Sequence, residues 1–315
     1  MAEAFQFAER TVVPPQDFRA AAERIAPYVR RTPVLRAVAD GRQVAFKLEH
    51  LQVAGVFKIR GALNALLTAG NLSRVVTASG GNHGLGVATA ARWLGVPATV
   101  FVPGTVPEVK ARRIAEQGAE VVRTGEKYAD AERAARSLAE RDGLYYVHAY
   151  DDPAVVAGQG TVGLEILADM PECDVVAVPA GGGGLLAGVS GAIAQCCPDK
   201  ECRAVAVEPE GCPTLHAALA AGEPAEVGAD SVAASALGAS QAGHLALAAC
   251  AAYGVSAVLV GDEQILAARD RLWEEFRLAV EPAAATVFAA WLSGQVPGER
   301  PCLVLSGGNA DWTPA

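Results

Sequence analysis

The chain has 315 residues, of which 51% are hydrophobic, so it is long enough for two domains or one large α/β unit with a substantial core. Its net charge of −9 argues against nucleic acid and anionic membrane as partners and favours small-molecule ligands. No apolar run approaches the roughly 18 residues of a membrane-spanning helix, and no signal peptide is evident, so we expect a cytoplasmic protein. The seven cysteines lack metal-ligand spacing and are expected to be reduced, structural thiols.

Short apolar runs alternate with alanine-rich helical stretches, a pattern that predicts mostly parallel sheets covered by helices. The predicted strands are 74–78, 98–102, 120–123, 144–147, 174–178, 203–207, 257–260 and 302–305. The predicted helices are 82–94, 108–117, 127–141, 185–195 and 262–276, the last with Asp262 as its N-cap. We expect a small mobile domain at 73–150, a large domain formed by 1–72 plus 151–315, and a site in the cleft between them.

Lys58 stands among apolar neighbours at the start of a helical pattern. Because burial disfavours the ammonium, a lysine in this setting is easily deprotonated and becomes a nucleophile. A neutral amine is what a carbonyl cofactor needs to form a Schiff base. The alternative is a lysine that extends its charge to the surface, and this segment alone favours that alternative.

The next signal is a segment that follows one predicted strand and opens a helix, formed by Ser79, Gly80, Gly81, Asn82 and His83. The Ser79 hydroxyl and the free N–H groups of such a loop suit a carboxylate, and Asn82 could donate to a phenolate oxygen. A well-made helix start, with Ser79 or Asn82 as cap, is the alternative interpretation. His83 is a candidate base, although a lone histidine is more often a structural hydrogen-bond partner.

A glycine-rich segment follows a later strand and opens another helix; its residues are Gly181, Gly182, Gly183, Gly184 and Leu185. Without Cβ atoms, the backbone N–H groups can converge on an anion, and the helix start adds positive charge, which indicates phosphate binding. No lysine-serine or lysine-threonine pair follows, so this is not a Walker A loop. NAD is a weaker alternative: Glu208 lies at a tolerable distance for a dinucleotide fold, but such a fold does not need Lys58.

These segments together resemble those of the fold type II pyridoxal-phosphate enzymes, most of all the threonine/serine dehydratase family that includes serine racemase. The resemblance runs from about residue 31 to residue 309. Lys58 matches the Schiff-base lysine, 79–83 matches the loop for the substrate carboxylate and the cofactor's ring oxygen, and 181–185 matches the phosphate loop. Ser306 matches the residue that meets the pyridine nitrogen, and the resemblance also places Phe57 and Glu281 at the cofactor.

The resemblance implies a tryptophan synthase β-like fold, with two domains that are each an open, mostly parallel sheet flanked by helices. It also implies pyridoxal 5'-phosphate as cofactor and a homodimer. Lys58 would hold the cofactor as a Schiff base and, once released by an incoming amino acid, remove the α-proton. A neutral hydroxyl at Ser306 does not force the pyridine nitrogen to stay protonated, which favours prompt loss of a β-leaving group.

The expected reaction is dehydration and deamination of a serine- or threonine-like amino acid to a 2-oxo acid and ammonia. Within enzymes, a racemase or a β-replacement enzyme on the same scaffold is the alternative. From a different class, the chain could be a non-catalytic, ligand-binding descendant of the fold.

The chain departs from the family pattern beside the lysine and in the asparagine loop. Ala54 and Val56 replace two hydroxyl residues near Lys58, which changes the substrate groups that the pocket can pair. Gly80 stands where serine racemase-like members carry a serine. Because glycine cannot donate a proton, Gly80 favours elimination over racemisation.

Two further departures concern acidic residues. Ser235 lies between two alanines, where relatives commonly carry an aspartate, and it is a candidate substrate contact; the arginines of close relatives are missing from 238–241. Glu208 matches the first ligand of a divalent cation site, but Thr214 stands at the spacing of the later acidic ligand, so a metal is not expected. The four departures together indicate a shifted substrate.

Overall fold

The computed structural model describes residues 12–199 and 201–309, which form two sheets flanked by helices. The strands are β1 (Val34–Ala39), β2 (Arg42–Lys47), β3 (Val75–Ala78), β4 (Ala98–Val102), β5 (Glu120–Arg123), β6 (Tyr145–Tyr146), β7 (Val175–Pro179), β8 (Arg203–Pro209), β9 (Ser256–Val260) and β10 (Pro301–Val304). The helices are α1 (Pro15–Ile25), α2 (Lys58–Ala69), α3 (Asn82–Leu94), α4 (Glu108–Ala115), α5 (Tyr128–Asp142), α6 (Pro153–Asp169), α7 (Gly184–Cys196), α8 (Thr214–Ala221), α9 (Ala234–Leu237), α10 (His244–Tyr253), α11 (Asp262–Phe276) and α12 (Pro282–Leu292).

The larger sheet has six strands in the order β1-β2-β10-β7-β8-β9. Its neighbours are parallel except for the β1–β2 hairpin, which the sequence did not predict. Strand β10 is inserted between β2 and β7, with Val304 opposite Lys47 and Cys302 opposite Val176. The central strands are buried along their whole length, as expected for a parallel sheet covered on both faces.

The smaller sheet has four parallel strands in the order β5-β4-β3-β6, so both sheets agree with the predicted α/β class. Helix α3 begins shortly after the end of β3, and α7 follows the end of β7 in the same way. Open parallel sheets bind ligands beyond the carboxyl ends of their strands. The asparagine loop and the glycine loop therefore both lie where such a sheet places its ligands.

The prediction that Asp262 caps α11 is wrong. Gly261 is the N-cap residue, and the Gln264 side chain accepts a hydrogen bond from its backbone N–H at 2.9 Å. Asp262 is the first helical residue, and its carboxylate accepts from the Ser231 hydroxyl at 2.6 Å and the Val232 N–H at 3.0 Å. Asp262 therefore secures the loop before α9 instead of its own helix start.

A buried ion cluster connects α2 to the larger sheet and to α6. Its members are Arg60, Glu49, Glu165 and Lys47, of which all but Glu165 have fully buried side chains. Arg60 contacts a Glu49 and a Glu165 oxygen, each at 2.8 Å, and Lys47 donates to Glu165 at 2.6 Å. Burial tends to raise the pKa of Glu49, but the charge and hydrogen bonds of Arg60 keep that pKa below its usual value. The cluster thus places two carboxylates, Glu49 and Glu165, against the helix that starts at Lys58.

The seven cysteines are free thiols, as the sequence predicted. The buried pair Cys173 and Cys202 has its sulfurs 3.9 Å apart, well beyond the roughly 2 Å of a disulfide bond. Within 12–199 and 201–309, no helix has both the length and the apolar character needed to cross a membrane.

Candidate active site

Two segments from distant parts of the chain meet beside Lys58. Val56 and Gly307 form an isolated antiparallel bridge, and the Phe57 N–H donates to the Ser306 carbonyl at 3.1 Å. Ser306 is buried, with 3% of its surface exposed. The backbone therefore brings the serine motif and the lysine motif together, as the family resemblance requires.

Lys58 is the first residue of α2 and points towards the segment that follows β6. Its Nζ donates to the Ala149 carbonyl at 2.8 Å and lies 5.2 Å from the centre of the Phe57 ring. Burial lowers the pKa of Lys58 from 10.5 to about 8. About a tenth of such a side chain is neutral at pH 7, far more than for an ordinary lysine.

The glycine loop is packed too closely to accept side chains. A Cβ atom on Gly182 would collide with the Tyr150 ring, and one on Gly184 would lie 2.7 Å from the Tyr150 carbonyl oxygen. Gly183 has a φ of +86°, a left-handed conformation that favours glycine. Leu185 follows in the first turn of α7 and is buried. The loop thus presents bare backbone at a helix N-terminus, the arrangement that binds anions.

The asparagine loop is held by side chains from the far end of the chain. The Asn82 Nδ2 group donates to Glu281 Oε1 at 2.7 Å, and its Oδ1 accepts from Asn309 Nδ2 at 3.1 Å. Burial raises the pKa of Glu281 to about 7. The Ser79 hydroxyl accepts from the Gly81 N–H at 3.2 Å, and Gly81 is the N-cap residue of α3. Neither Ser79 nor Asn82 caps this helix, so the purely structural interpretation of the loop lacks its main support.

His83 is buried behind the loop. Its Nε2 lies 3.1 Å from the Val147 carbonyl oxygen, so Nε2 carries the proton that is donated. Its Nδ1 has no hydrogen-bond partner among the residues that the structure describes. Burial lowers the pKa of His83 to about 3, so the neutral ring is a poor proton acceptor. The geometry favours the structural role over the base.

A cavity of about 350 Å³ joins the predicted segments. The predicted residues that line it are Lys58, Ser79, Gly80, Gly81, Asn82, His83, Gly182 and Ser235. Glu281 lines an adjoining smaller space with Asn82 and Ser235. Neither space is lined by Phe57, Gly181, Gly183, Gly184, Leu185 or Ser306. Phe57 precedes Lys58, the other glycines and Leu185 flank Gly182, and Ser306 lies three residues before Asn309, which lines the smaller space. The cavity has further lining residues that no sequence motif singled out, namely Pro103, Thr105, Val106, Pro107, Lys110, Tyr128 and Tyr150.

Glu208 stands in β8, and its side chain reaches the start of the helix that follows. Its two carboxylate oxygens accept the backbone N–H groups of Leu215 and His216 at 2.7 and 2.8 Å, in the first turn of α8. Burial raises its pKa to about 7, although these hydrogen bonds oppose the shift. Thr214 donates to the Ala239 carbonyl at 3.1 Å. In the described ranges, no group of three histidine, cysteine or acidic residues is placed to hold a metal ion.

Val56 lies in the apolar core and is fully buried. Its Cγ2 atom would be 3.2 Å from a Cβ on Gly307. The exchange of a hydroxyl residue for valine at this position is therefore a change in packing behind Lys58.

The sequence profile of the pyridoxal-phosphate dependent enzymes matches residues 25–307. The chain belongs to this family. It is 37% identical to the L-threonine ammonia-lyase of Thermotoga maritima, over 94% of this chain and 75% of that protein. It is 36% identical to the phenylserine dehydratase of Ralstonia pickettii, over 91% of this chain and 90% of that protein. The crystal structure of T.th. threonine deaminase matches with a TM-score of 0.88 at 37% identity, covering 96% of this chain and all of that one.

These relatives confirm the fold type II architecture, the pyridoxal-phosphate cofactor and the assignment as a β-eliminating ammonia-lyase. The residues present fit the cofactor. Lys58 reaches the cavity with a lowered pKa. Gly182 and Gly184, against which Tyr150 packs, leave the backbone N–H groups at the start of α7 uncovered by side chains of their own, as a phosphate requires. Serine racemase of Oryza sativa is also similar, at 34% identity over 93% of this chain and 90% of that protein.

The lowered pKa of Lys58 predicts how the cofactor-free protein takes up pyridoxal phosphate. Only the neutral amine attacks the cofactor's carbonyl, so uptake should speed up about tenfold per pH unit below pH 8 and level off above it. Stopped-flow absorbance of the cofactor checks this. A rate that keeps rising to about pH 10, the pKa of an ordinary lysine, would mean that burial does not shift Lys58.

Proposed function

We propose that this pyridoxal-phosphate enzyme converts a β-hydroxy amino acid of the serine or threonine type to a 2-oxo acid and ammonia. The observation that carries the proposal is the cavity in which the easily deprotonated Lys58 faces the asparagine loop and the glycine loop. The activities in the names of the relatives from Thermotoga maritima and Ralstonia pickettii support the same class of substrate.

In this proposal residues 181–185 would hold the phosphate, and the Ser306 hydroxyl would meet the pyridine nitrogen. Asn82, oriented by Glu281, would donate its remaining N–H to the ring oxygen. When bound, pyridoxal phosphate supplies an electron sink for the charge left on the α-carbon by deprotonation. Lys58 holds the cofactor and then, as the free neutral amine, accepts the α-proton.

The substrate carboxylate is proposed to bind at 79–83. The positive end of α3 and the nearby ammonium of Lys110 both favour an anion there. His83 positions this loop by donating to the Val147 carbonyl. Loss of the β-hydroxyl as water, followed by addition of water to the released enamine, yields the 2-oxo acid and ammonia.

Gly80 supports elimination over racemisation. A Cβ atom on Gly80 would collide with Val106 Cγ2, so Val106 occupies the space that a serine side chain needs. We therefore predict that the enzyme forms 2-oxo acid without inverting the remaining substrate, because neither Gly80 nor Val106 has a group that can exchange a proton. Chiral chromatography of residual L-serine during turnover checks this. Accumulation of D-serine at a rate comparable to pyruvate formation would contradict it.

The proposed function is tested by incubating the holoenzyme with L-serine and L-threonine and measuring 2-oxo acid and ammonia in equal amounts. If neither 2-oxo acid nor ammonia forms from any β-hydroxy amino acid, the proposal is refuted and the ligand-binding alternative is favoured.

We also propose that 73–150 is a smaller domain that moves over the site. We further propose that the protein is a homodimer, and light scattering tests this oligomeric state.

A further inference from the structure

We propose that the enzyme prefers β-hydroxy amino acids with a bulky apolar or aromatic group on the β-carbon, and that Val106 and Tyr128 select this group. The inference rests on the proposed function, since it concerns the substrate of that same site. It follows from how charge and apolar surface are divided around the cavity.

The charged end of the cavity is where the carboxylate is proposed to bind. Lys110 borders both the main cavity and the smaller space that contains Asn82 and Glu281. The charge of Lys110 acts to lower the pKa of Glu281, against the larger effect of burial, which places this cation beside the asparagine loop. Lys110 is thereby assigned to the α-carboxylate, which leaves for the substrate side chain the part of the cavity away from Lys58 and the glycine loop, where the cofactor is proposed to bind.

The wall next to this end is mostly apolar. It consists of Tyr128 at the start of α5 and of the connection from β4 to α4, which contributes Pro103, Val106, Pro107 and one hydroxyl residue, Thr105. Tyr128 is 36% exposed, so part of this residue is open to solvent and to a bound substrate. Among the described residues that line the main cavity, none is acidic and none is an arginine. A charged group on the β-carbon would lose its hydration here without gaining a partner, whereas an aryl group would cover apolar surface.

A further part of the lining consists of small residues. It is formed at α9 and the loop after it by Ala234, Ser235, Ala236, Gly238 and Ala239. This part of the lining therefore carries no charge and no large side chain that would exclude a bulky group.

Tyr150 adds a rigid aromatic surface. Its ring meets His148 edge to face, with centroids 4.7 Å apart and planes at 83°, and its hydroxyl donates to the Gln241 carbonyl at 3.3 Å. A ring held from two sides loses little conformational freedom when a ligand packs on it. Because this ring also packs against Gly182, Tyr150 is a fixed wall at the glycine loop, and Tyr128 is the aromatic contact left for the substrate side chain.

The test compares kcat/KM of the holoenzyme for L-threo-phenylserine, L-threonine, L-serine and L-threo-3-hydroxyaspartate, with the 2-oxo acid as the measured product. We expect phenylserine to exceed serine and threonine by at least about tenfold, since one or two apolar groups in a pocket give factors of roughly 10–200. A higher value for serine, threonine or hydroxyaspartate overturns the inference but leaves the proposed function standing. No 2-oxo acid from any of the four refutes both.

Variants test the two selecting residues. Tyr128→Ala and Val106→Thr should each lower the ratio of kcat/KM for phenylserine over serine by about tenfold, because each removes or interrupts apolar contact with the β-substituent. Trp93→Ala is the matched control: Trp93 is 38% exposed and lies at the far end of α3, and its ratio should stay within about twofold of wild type. If Tyr128 or Val106 has only a structural role, its variant will lower kcat/KM for phenylserine and for serine alike and leave their ratio unchanged. That result would overturn the assignment.

Discussion

Replacing Lys58 by alanine is expected to lower kcat for 2-oxo acid formation by roughly 10⁴-fold or more, since one side chain supplies both the bond to the cofactor and the base. The variant should also lose pyridoxal phosphate on dialysis. Burial with a lowered pKa is what equips this amine for both tasks. Product assays and the visible absorbance of the dialysed protein measure the two effects separately.

Lys127→Ala is the control for Lys58→Ala, because Lys127 is an exposed lysine that precedes α5 and does not line the main cavity. After dialysis, this variant should retain the visible absorbance of the bound cofactor. Its activity should stay within about twofold of wild type. A Lys58→Ala protein that still holds the cofactor after borohydride treatment and denaturation would show that another lysine carries it.

Replacing Arg60 by alanine is expected to destabilise the protein by about 3–5 kcal/mol at neutral pH. Arg60 is fully buried and makes two hydrogen bonds to the equally buried Glu49, at 2.8 Å each. Without the guanidinium, Glu49 keeps a desolvated charge whose remaining partners are Thr32 and the charge of Lys47. Urea denaturation of the holoenzyme, followed by circular dichroism, measures the change in the free energy of unfolding.

The matched control is Arg74→Ala, which breaks an ion pair of the same 2.8 Å length between side chains that are 41% and 61% exposed. Exposed pairs contribute about 0–1 kcal/mol, so this variant should unfold close to wild type. Adding Glu49→Gln to Arg60→Ala should recover part of the lost stability, because it removes the uncompensated charge. If the two arginine variants lower the free energy of unfolding equally, burial does not determine how much the cluster contributes to stability.

Local periodicity was sufficient for many elements of the fold. The predicted bounds of α3, β4, β5 and α11 coincide with those of the structure, because each has a clear start or an uninterrupted apolar run. Helix α6 was not predicted, since its three glycines, Gly158, Gly160 and Gly163, are poor helix formers. The structure supplies the reason: a Cβ on Gly158 would lie 2.6 Å from the Arg60 carbonyl oxygen. Contact with another helix, which no local pattern reveals, selects these glycines.

The site was predictable only where it is built from contiguous motifs. Lys58, the asparagine loop and the glycine loop could be recognised because each carries its chemistry within a few residues. The bond between Asn82 and Glu281 joins residues 199 positions apart and has no local signal. Val106 and Tyr128 were missed for a related reason: an apolar residue in a loop or an aromatic residue at a helix start looks like ordinary packing until the fold places it on a cavity.

The position of β10 constrains when the enzyme can first bind its cofactor. This strand is synthesised long after β2 and β7, yet it must be inserted between them before the larger sheet is continuous. The stretch that follows it delivers Ser306 to the backbone beside Lys58. The smaller sheet pairs only neighbouring parts of the chain, so it can form on the ribosome, whereas the larger one must await the last of its strands. We therefore expect the chain to bind pyridoxal phosphate only after β10 and the stretch up to residue 309 have been synthesised and have joined the larger sheet.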